Sequence, residues 1–166
     1  MKELLLQYAR YNIWANKRII DVLLKHDEEV LNMEIKSSFP SLQATVFHSW
    51  GAESIWLKRL HLEEKPVFAS MDFKGPFAEA CNEWQKASEG LLQFIEKQYD
   101  DKALEHVFQY NDLKGTPHKN PVYATLQHVF NHSTYHRGQL VTMLREVGET
   151  KLPTTDFIVY IREQKK

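Results

Sequence analysis

Three histidines spaced four residues apart constrain this chain more than any other feature. His128, His132 and His136 lie in the segment Gln127–Leu140, whose other residues are typical of a helix with one face toward a core. Residues four apart on an α-helix are neighbours, with Cβ atoms about 5–6 Å from each other. Two such imidazoles can turn toward a single metal ion, at Zn–N distances of about 2.0–2.1 Å. The segment therefore predicts a core-facing helix that carries a candidate metal site.

The apolar residues of this helix indicate which histidines face inward. At about 100° per residue, the arc they define contains His136, has His132 at its edge and leaves His128 about 40° further out. The residues that define the arc are Leu126, Val129, Leu140, Leu144 and Val147. A lone histidine on an apolar face is usually a hydrogen-bonded core residue. Burying two without a shared partner is costly, so the inward pair favours a metal, while His128 is expected at a rim or in solvent.

Two ligands do not complete a metal site, and His48 is the best third candidate. It lies on the flank of a predicted helix, among small or apolar neighbours. His106 is the second candidate, because it belongs to an alternating segment that directly precedes the histidine-bearing helix. The other histidines lie at helix ends or in polar loops and are expected to be exposed; they are His26, His61 and His118. Three histidines with an open position are typical of a working metal site rather than a purely structural one.

Other metal chemistries do not fit the spacing. The chain has no H-E-x-x-H segment, which excludes the metalloprotease arrangement, and no Glu-x-x-His segment, which excludes the di-iron carboxylate bundle. Cys81 is the single cysteine, and it falls on the core face of a predicted helix, away from the histidines. It therefore offers neither a zinc ligand nor an internal disulfide, and the expected compartment is the cytoplasm.

The rest of the chain predicts an all-α four-helix bundle in a single domain, residues 1–166. Helices are predicted from the spacing of apolar residues at about 4–25, 42–62, 77–99 and 123–147. Ser41 is a candidate N-cap of the second helix, and Gly148 a candidate C-terminal cap of the fourth. Residues 103–122 lose the helical period and predict a short hairpin or loop before the fourth helix. A short C-terminal helix is predicted at about 155–163.

A few individual residues carry expectations of their own. Gly51, in the middle of the second helix, costs about 1 kcal/mol relative to alanine, and one interpretation is that it lets another helix approach closely. Arg137 lies near the apolar arc and needs a partner when buried; Asp156 is the candidate. Tyr135 and Asn131 point away from the arc, so surface or dimer contacts are expected of them rather than catalysis.

Composition excludes several classes of protein. The formal net charge is -1, and basic clusters are missing apart from Lys165–Lys166, which argues against a nucleic-acid partner. The longest apolar runs are far shorter than the roughly 20 residues that span a bilayer, so no membrane partner is expected. The N-terminus leads straight into an amphipathic pattern and does not resemble a signal peptide.

Several segments together resemble a known family. They are Asn12–Asn16, His48, Glu53–Leu60, His128–Leu140, Leu144–Arg145, Gly148 and Pro153–Phe157. On these segments the chain is similar to the DinB/YfiT-like family of metal-binding four-helix bundles, over nearly its whole length. The resemblance implies that His48, His132 and His136 are the ligands of a divalent transition metal, zinc or nickel. It also implies a homodimer, and the family name refers to induction by DNA damage rather than to contact with DNA.

The resemblance also suggests an activity. Relatives include metal-dependent transferases that attach low-molecular-weight thiols, such as bacillithiol or mycothiol, to electrophiles. A metal-dependent thiol S-transferase, with a small-molecule thiol and an electrophilic substrate, is therefore the leading hypothesis. One alternative is a metal-dependent hydrolase, for which no carboxylate base can be assigned. Another is a non-enzymatic metal-binding stress protein, which predicts a fourth protein ligand such as His128 or His106. The sequence assigns no catalytic residue beyond the metal ligands.

Overall fold

Four long helices dominate the structure, a computed structural model that describes residues 1–164. The all-α fold with a short hairpin and a short C-terminal helix, as predicted, is confirmed. In chain order the elements are α1 (Lys2–Leu23), α2 (Glu28–Asn32), α3 (Leu42–Leu60), α4 (Phe77–Lys97), α5 (Asp101–Glu105), β1 (Val107–Asn111), β2 (Pro117–Pro121), α6 (Val122–Glu146) and α7 (Phe157–Glu163). The basic pair Lys165–Lys166 lies outside the described residues.

Each long helix packs against two of the others. α4 contacts α1 and α3, and α6 contacts the same two helices on the other side. The order around the bundle is therefore α1, α4, α3, α6, and α3 and α6 share one seam. That seam joins the helix of His48 to the helix of His132 and His136. None of the described helices combines the length and the apolar composition needed to cross a bilayer.

Local capping explains where two of the long helices begin and end. The Ser41 hydroxyl accepts a hydrogen bond from the backbone N–H of Ala44 at 3.1 Å, so the predicted N-cap of α3 is confirmed. α6 ends before Gly148, whose φ of 91° lies in the left-handed region that favours glycine. The predicted C-terminal cap is thus confirmed as well.

The predicted hairpin forms between α5 and α6. β1 and β2 pair antiparallel, and Phe108 of β1 is buried in the apolar cluster of the bundle that contains Leu126. The Asp112 carboxylate closes the turn by accepting hydrogen bonds from the backbone N–H groups of Lys114 and Thr116, at 2.8 and 2.9 Å. The short helices α2 and α5 were not predicted from the sequence. A single helical turn leaves too few apolar residues to show a helical period.

The core consists of apolar clusters stacked along the bundle. One is centred on Trp84 and another on Leu126, both fully buried, while Tyr160 of α7 packs beside Tyr11 of α1. Cys81 lies within the first cluster with no exposed surface, as its place in the helical pattern predicted. Burial raises the pKa of its thiol to about 12, so this cysteine stays protonated and is not a nucleophile.

Gly51 allows the side chain of a loop residue, and not another helix, to come close to the backbone of α3. A Cβ atom at this position would lie 1.9 Å from the ring of Phe68, which belongs to the loop between α3 and α4. The interpretation that a neighbouring helix needs the glycine is therefore wrong. The reason is that an aromatic loop side chain, rather than a helix, covers this face of α3.

Candidate metal centre

Three imidazoles from two helices meet at the seam between α3 and α6. The Nε2 atom of His132 lies 3.1 Å from Nε2 of His48 and 3.1 Å from Nε2 of His136. All three ligand atoms fall within 4.8 Å of one another. A tetrahedral zinc ion with Zn–N distances of about 2.0–2.1 Å holds its nitrogens roughly 3.3 Å apart. The spacing of the three nitrogens is close to that value, so the group could hold a metal ion.

A neighbouring glutamine sets the tautomer of His136. The Oε1 atom of Gln139 lies 2.7 Å from Nδ1 of His136, and an amide oxygen can only accept a hydrogen bond. Nδ1 therefore carries the proton, and the lone pair is left on Nε2, which faces the other two histidines. The amide itself is held in place because its Nε2 donates to the hydroxyls of Ser38 and Tyr135, at 2.6 and 3.1 Å.

Burial keeps all three imidazoles neutral. It lowers the pKa of His48 to about 4, with a further contribution from the nearby His136. Burial likewise lowers the pKa of His132 to about 4, and the charges that His136, His48 and His128 would carry add to this effect. The pKa of His136 is lowered by burial too, against the opposing hydrogen bond to Gln139. Neutral imidazole is the form that binds a metal, so the group needs to lose no proton at pH 7.

Aromatic side chains close one side of the site. The ring of Phe39 stacks on His48 with 4.2 Å between ring centres, and Phe68 lies parallel to the same imidazole at 6.1 Å. On the other side a shallow groove, open to solvent and lined by α6 alone, lies beside His132. Its lining residues are Ala124, Gln127, His128, Asn131, His132 and Tyr135. The site is thus shielded from solvent on the α3 side and accessible from the α6 side.

The remaining histidines do not join the group. His128 is exposed, as predicted, with its ring centre 5.8 Å from that of His132. His106, the alternative third ligand, is exposed in the segment between α5 and β1 and is not brought to the site. His61 and His118 are exposed as expected, whereas His26 is half-buried with its Nε2 atom 3.7 Å from Glu149.

A buried carboxylate lies at the centre of the bundle beside this site. Glu53 is completely buried, and its oxygens accept hydrogen bonds from five side chains on the three other long helices. The donors are Asn12, Asn16 and Trp84 at 3.0 Å, Ser133 at 2.9 Å and Ser88 at 2.6 Å. Such complete satisfaction is what makes a fully buried carboxylate tolerable.

Arg137 is linked to this carboxylate through two asparagines. Its NH1 group donates to the Oδ1 atoms of Asn12 and Asn16, at 2.5 and 2.8 Å, while the amide nitrogens of the same asparagines donate to Glu53. The predicted pairing with Asp156 is therefore wrong. Asp156 is exposed, whereas Arg137 points into the bundle toward α1, where the two asparagines accept its hydrogen bonds.

The same network fixes the rotation of α6. Ser133 and Arg137 directly follow His132 and His136 in the sequence, and both side chains are held inside the bundle by hydrogen bonds. Successive residues on a helix are about 100° apart, so anchoring these two turns the preceding histidines toward α3. Sequence reasoning did not identify Glu53 as part of this arrangement. The signal was available, because Glu53 lies three residues after the buried Trp50 on the apolar stripe of α3.

Comparison with known proteins agrees with this architecture. The model of the DinB family matches residues 1–166, the whole chain. The chain belongs to the DinB family. Among curated DinB-family proteins, Protein DinB from Bacillus subtilis (strain 168) is 27% identical over 168 residues, which cover 97% of this chain and 95% of the relative. The recognition made from the sequence segments is confirmed.

Two solved structures of DinB-like proteins have the same fold. The crystal structure of a DinB-like protein from Bacillus cereus ATCC 10987 matches with a TM-score of 0.71 and 22% identity, covering 92% of this chain and 95% of the other. A DinB-like protein from Bacillus subtilis, YjoA, matches with a TM-score of 0.60 and 16% identity, covering 93% and 96%. At these identities the likeness supports the fold of this DinB-family chain and not its activity.

Proposed function

We propose that His48, His132 and His136 hold a divalent transition metal, zinc or nickel, in a metal-dependent transferase of low-molecular-weight thiols to electrophiles. The convergence of three imidazole Nε2 atoms from α3 and α6 carries this proposal. Imidazole nitrogen suits both zinc and nickel. Among the described residues the group has three members, and three ligands leave a coordination position for a substrate.

The chain's own residues support thiol chemistry at this site. His48, His132 and His136 would hold the metal through neutral imidazoles, and the metal, when bound, would lower the pKa of a thiol and make thiolate available near pH 7. Phe39 keeps water from one side of the site, and the groove beside His132 admits the thiol and the electrophile. In the transfer, the thiol loses its proton to solvent and its sulfur forms a bond to the electrophilic carbon of the second substrate, while the bond from that carbon to its leaving group breaks and the leaving group departs as an anion, chloride in the case of chlorodinitrobenzene.

Two observations favour this proposal over its alternatives. A hydrolase needs a base to activate water, and Glu53, the carboxylate buried beside the site, has both oxygens occupied by five donors. A non-enzymatic metal-binding protein is expected to close its site with a fourth protein ligand. Neither His128 nor His106 belongs to the group formed in the described part of the chain.

Metal content tests the site first. Elemental analysis of the purified protein is expected to give about one ion per chain, and none in His132→Ala, which removes the central ligand. The control is His106→Ala, an exposed histidine outside the group, which is expected to retain its metal. A full complement of metal in His132→Ala would contradict the site.

Turnover tests the reaction. With metal bound, the protein is expected to accelerate conjugation of cysteine or bacillithiol to chlorodinitrobenzene, and His132→Ala to lose this acceleration while His106→Ala keeps it. A rate unchanged in metal-free His132→Ala would rule out thiol transfer at this site. Hydrolysis of ester or amide substrates in the absence of thiol would support the hydrolase instead.

The homodimer and the cytoplasmic location stay predictions. Sedimentation velocity at micromolar concentrations measures the first, and a mass of about twice 19.6 kDa is expected. A single species at the monomer mass would show that the homodimer prediction is wrong.

A further inference from the structure

A second buried guanidinium lies at the hairpin end of the α3–α6 seam. Arg59 has 6% of its surface exposed, and its Nε atom is buried with no hydrogen-bond partner among the described residues. Within residues 1–164 no carboxylate forms an ion pair with it. Buried charges in proteins are normally paired, because an unpaired one keeps the full cost of losing its hydration.

Arg137 provides an internal comparison. It is more deeply buried than Arg59, with 1% of its surface exposed, and it also lies over an aromatic ring, 5.3 Å from the centre of Tyr11. Its terminal nitrogens, however, donate to three acceptors, supplied by Asn12, Asn16 and Thr134. The Nε atom of Arg137 is unpaired as well, so the two arginines differ at their terminal nitrogens: those of Arg137 are bonded within the fold, and those of Arg59 are bonded to none of the described residues.

Two aromatic rings lie against the guanidinium of Arg59. Its central carbon lies 4.6 Å from the ring centre of Trp56 on α3 and 5.2 Å from that of Tyr110 on β1. Stacking of this kind favours the cation and restricts its side chain to one orientation. A guanidinium fixed in this way presents its terminal N–H groups as a ready-made fork for a planar anion.

The nearest acidic groups are occupied or turned to solvent. Burial lowers the pKa of Arg59, and the nearby Tyr110 and Asp112 oppose this effect only in part. The Asp112 carboxylate is already bound to His118 at 3.2 Å and to the backbone of its own turn. Glu63 and Glu64 line the same cavity as Arg59, but both are exposed. The positive charge of Arg59 is therefore not neutralised by the chain itself.

Arg59 opens onto a cavity of suitable size. The cavity measures about 280 Å³ and its polar lining includes Arg59, Glu63, Glu64, Gln109, Tyr110 and Asn111. Gln109 and Asn111 line the same cavity, and their side chains carry neutral amide donors. The two glutamates disfavour an anion of high charge, such as phosphate, more than one of single charge.

We propose that this cavity binds a small molecule through its carboxylate group, which Arg59 holds beside Trp56 and Tyr110. A carboxylate matches the planar fork of a guanidinium with two parallel hydrogen bonds and carries a single negative charge. This site is distinct from the three-histidine group, and its occupation does not require a metal.

One neighbouring cavity lies between this cavity and the groove of the candidate metal centre. Tyr110 lines the cavity of Arg59 and the neighbouring cavity of about 270 Å³, and His128 lines that neighbouring cavity and the groove beside His132. His48 and Arg59 are eleven residues apart on α3, about 16 Å along the helix axis. If the proposed function holds, an extended substrate can place its carboxylate at Arg59 and its reactive end at the histidines.

Nuclear magnetic resonance on the full-length, 15N-labelled protein tests the site. The probes are glutarate, its uncharged dimethyl ester and inorganic phosphate, and the signals are the Nε–H of Arg59 and the indole N–H of Trp56. Glutarate is expected to shift both signals saturably, and the ester is expected to shift neither. Absence of a saturable shift up to about 50 mM glutarate would overturn the proposal. Tighter binding of phosphate than of glutarate would overturn the assignment to a carboxylate.

Two variants and a control separate recognition from folding. Arg59→Met keeps an unbranched side chain for stacking and is expected to weaken glutarate binding at least about tenfold, read from the Trp56 signal. Arg59→Lys keeps the charge without the fork and is expected to weaken it by about tenfold as well. Arg10→Met, at an exposed arginine 3.6 Å from Glu96, is expected to bind as the wild type does. Unchanged affinity in Arg59→Lys and Arg59→Met would overturn the site.

The proposal of a metal site and the proposal of a carboxylate site can be contradicted independently of each other. His132→Ala is expected to lose its metal and to keep its affinity for glutarate, because Arg59 lies in a separate cavity. If the wild type lacks metal yet binds glutarate, the proposed function fails and the Arg59 site stands. Loss of glutarate binding in His132→Ala would contradict the independence of the two sites.

Discussion

Charged side chains lie in the interior of this bundle, and each of them needs hydrogen-bond partners among the residues around it. Glu53 and Arg137 are both buried, and Asn12 and Asn16 join them by accepting from one and donating to the other. Each asparagine can do so because its amide carries an acceptor and a donor side by side. The network therefore stabilises the fold as a unit, and removing one charge leaves the other buried without compensation.

Replacing Glu53 by glutamine tests this coupling. Glu53→Gln keeps the shape of the side chain, but it loses the negative charge and sets an amide N–H group among donors. The free energy of unfolding is expected to fall by about 3–5 kcal/mol, measured by urea denaturation. Glu83→Gln is the control, because Glu83 is paired on the surface with Lys86 at 2.7 Å and its loss is expected to cost less than about 0.5 kcal/mol. Equal effects of the two substitutions would contradict a central role of Glu53.

A single hydrogen bond from His136 to Gln139 orients one of the candidate metal ligands. Gln139→Leu removes the acceptor that keeps the proton of His136 on Nδ1, so the imidazole loses its fixed tautomer and orientation. The affinity for zinc is expected to fall about 10–100-fold, measured by competition with a chelating dye. Thr142→Val changes an exposed residue one turn further along α6 and is expected to leave the affinity unchanged. Unaltered zinc affinity in Gln139→Leu would show that this hydrogen bond does not orient the ligand.

At the scale of elements, two helix glycines differ in what surrounds them. Gly51 of α3 is covered by the ring of Phe68, which also lies against His48. Gly138 of α6 has no atom within 4 Å of the place where a Cβ would be, among the residues described. The first glycine is a packing requirement that links the α3–α4 loop to the site. The second only lowers the helix propensity of α6.

The two glycines make a matched pair of substitutions. Gly51→Ala is expected to lower the free energy of unfolding by about 1–3 kcal/mol, because the ring of Phe68 has to move. Gly138→Ala is expected to raise it by up to about 1 kcal/mol, since alanine favours the helix and meets no neighbour. Thermal and urea denaturation measure both. Stabilisation by Gly51→Ala would contradict the contact with Phe68.

At the scale of the whole molecule, the candidate metal site depends on the complete bundle. His48 and His132 are 84 positions apart in the sequence and come within 3.1 Å only because α3 and α6 share a seam. The low pKa values of these imidazoles are likewise properties of the folded state, since burial is their main cause. Stability and protonation are consequently linked.

This linkage predicts how the metal-free protein responds to pH. The unfolded chain protonates His48 and His132 near pH 6.5, whereas the folded protein does so near pH 4. Between these values the unfolded state binds more protons, so the stability that the neutral histidines contribute is fully present above pH 6.5. It is lost as the pH falls toward 4.

Urea denaturation at pH 7, 5.5 and 4.5 in the presence of a chelator measures this effect. The loss of stability on acidification is expected to be smaller in a His48→Ala/His132→Ala double variant than in the wild type. His118→Ala, at an exposed histidine of the hairpin, is expected to retain the dependence of the wild type. If the free energy of unfolding changed with pH to the same extent in the wild type and the double variant, His48 and His132 would not be the source of the pH dependence.

Much of the fold and the site was predictable from local patterns. The period of apolar residues predicted the four long helices because one face of each has to be buried. Ser41 and Gly148 indicated helix ends through the hydrogen bonds and backbone angles that those residue types favour. The placement of His132 and His136 on the inner edge of α6 followed from helix geometry alone.

Other features depended on which elements meet. Local patterns show that a face of a helix is buried, but they do not show which residues cover it. For this reason the predicted neighbour of Gly51 was a helix and the predicted partner of Arg137 was Asp156, and both predictions were wrong. The asparagine bridge and the stacking of Arg59 join residues from distant helices and the hairpin, for which no local spacing exists. Local spacing was sufficient to predict the helices, their caps and the inward histidines, because these depend on neighbours within a few positions. The partners of the buried charges could not be predicted in this way, because those contacts form only when the helices pack together.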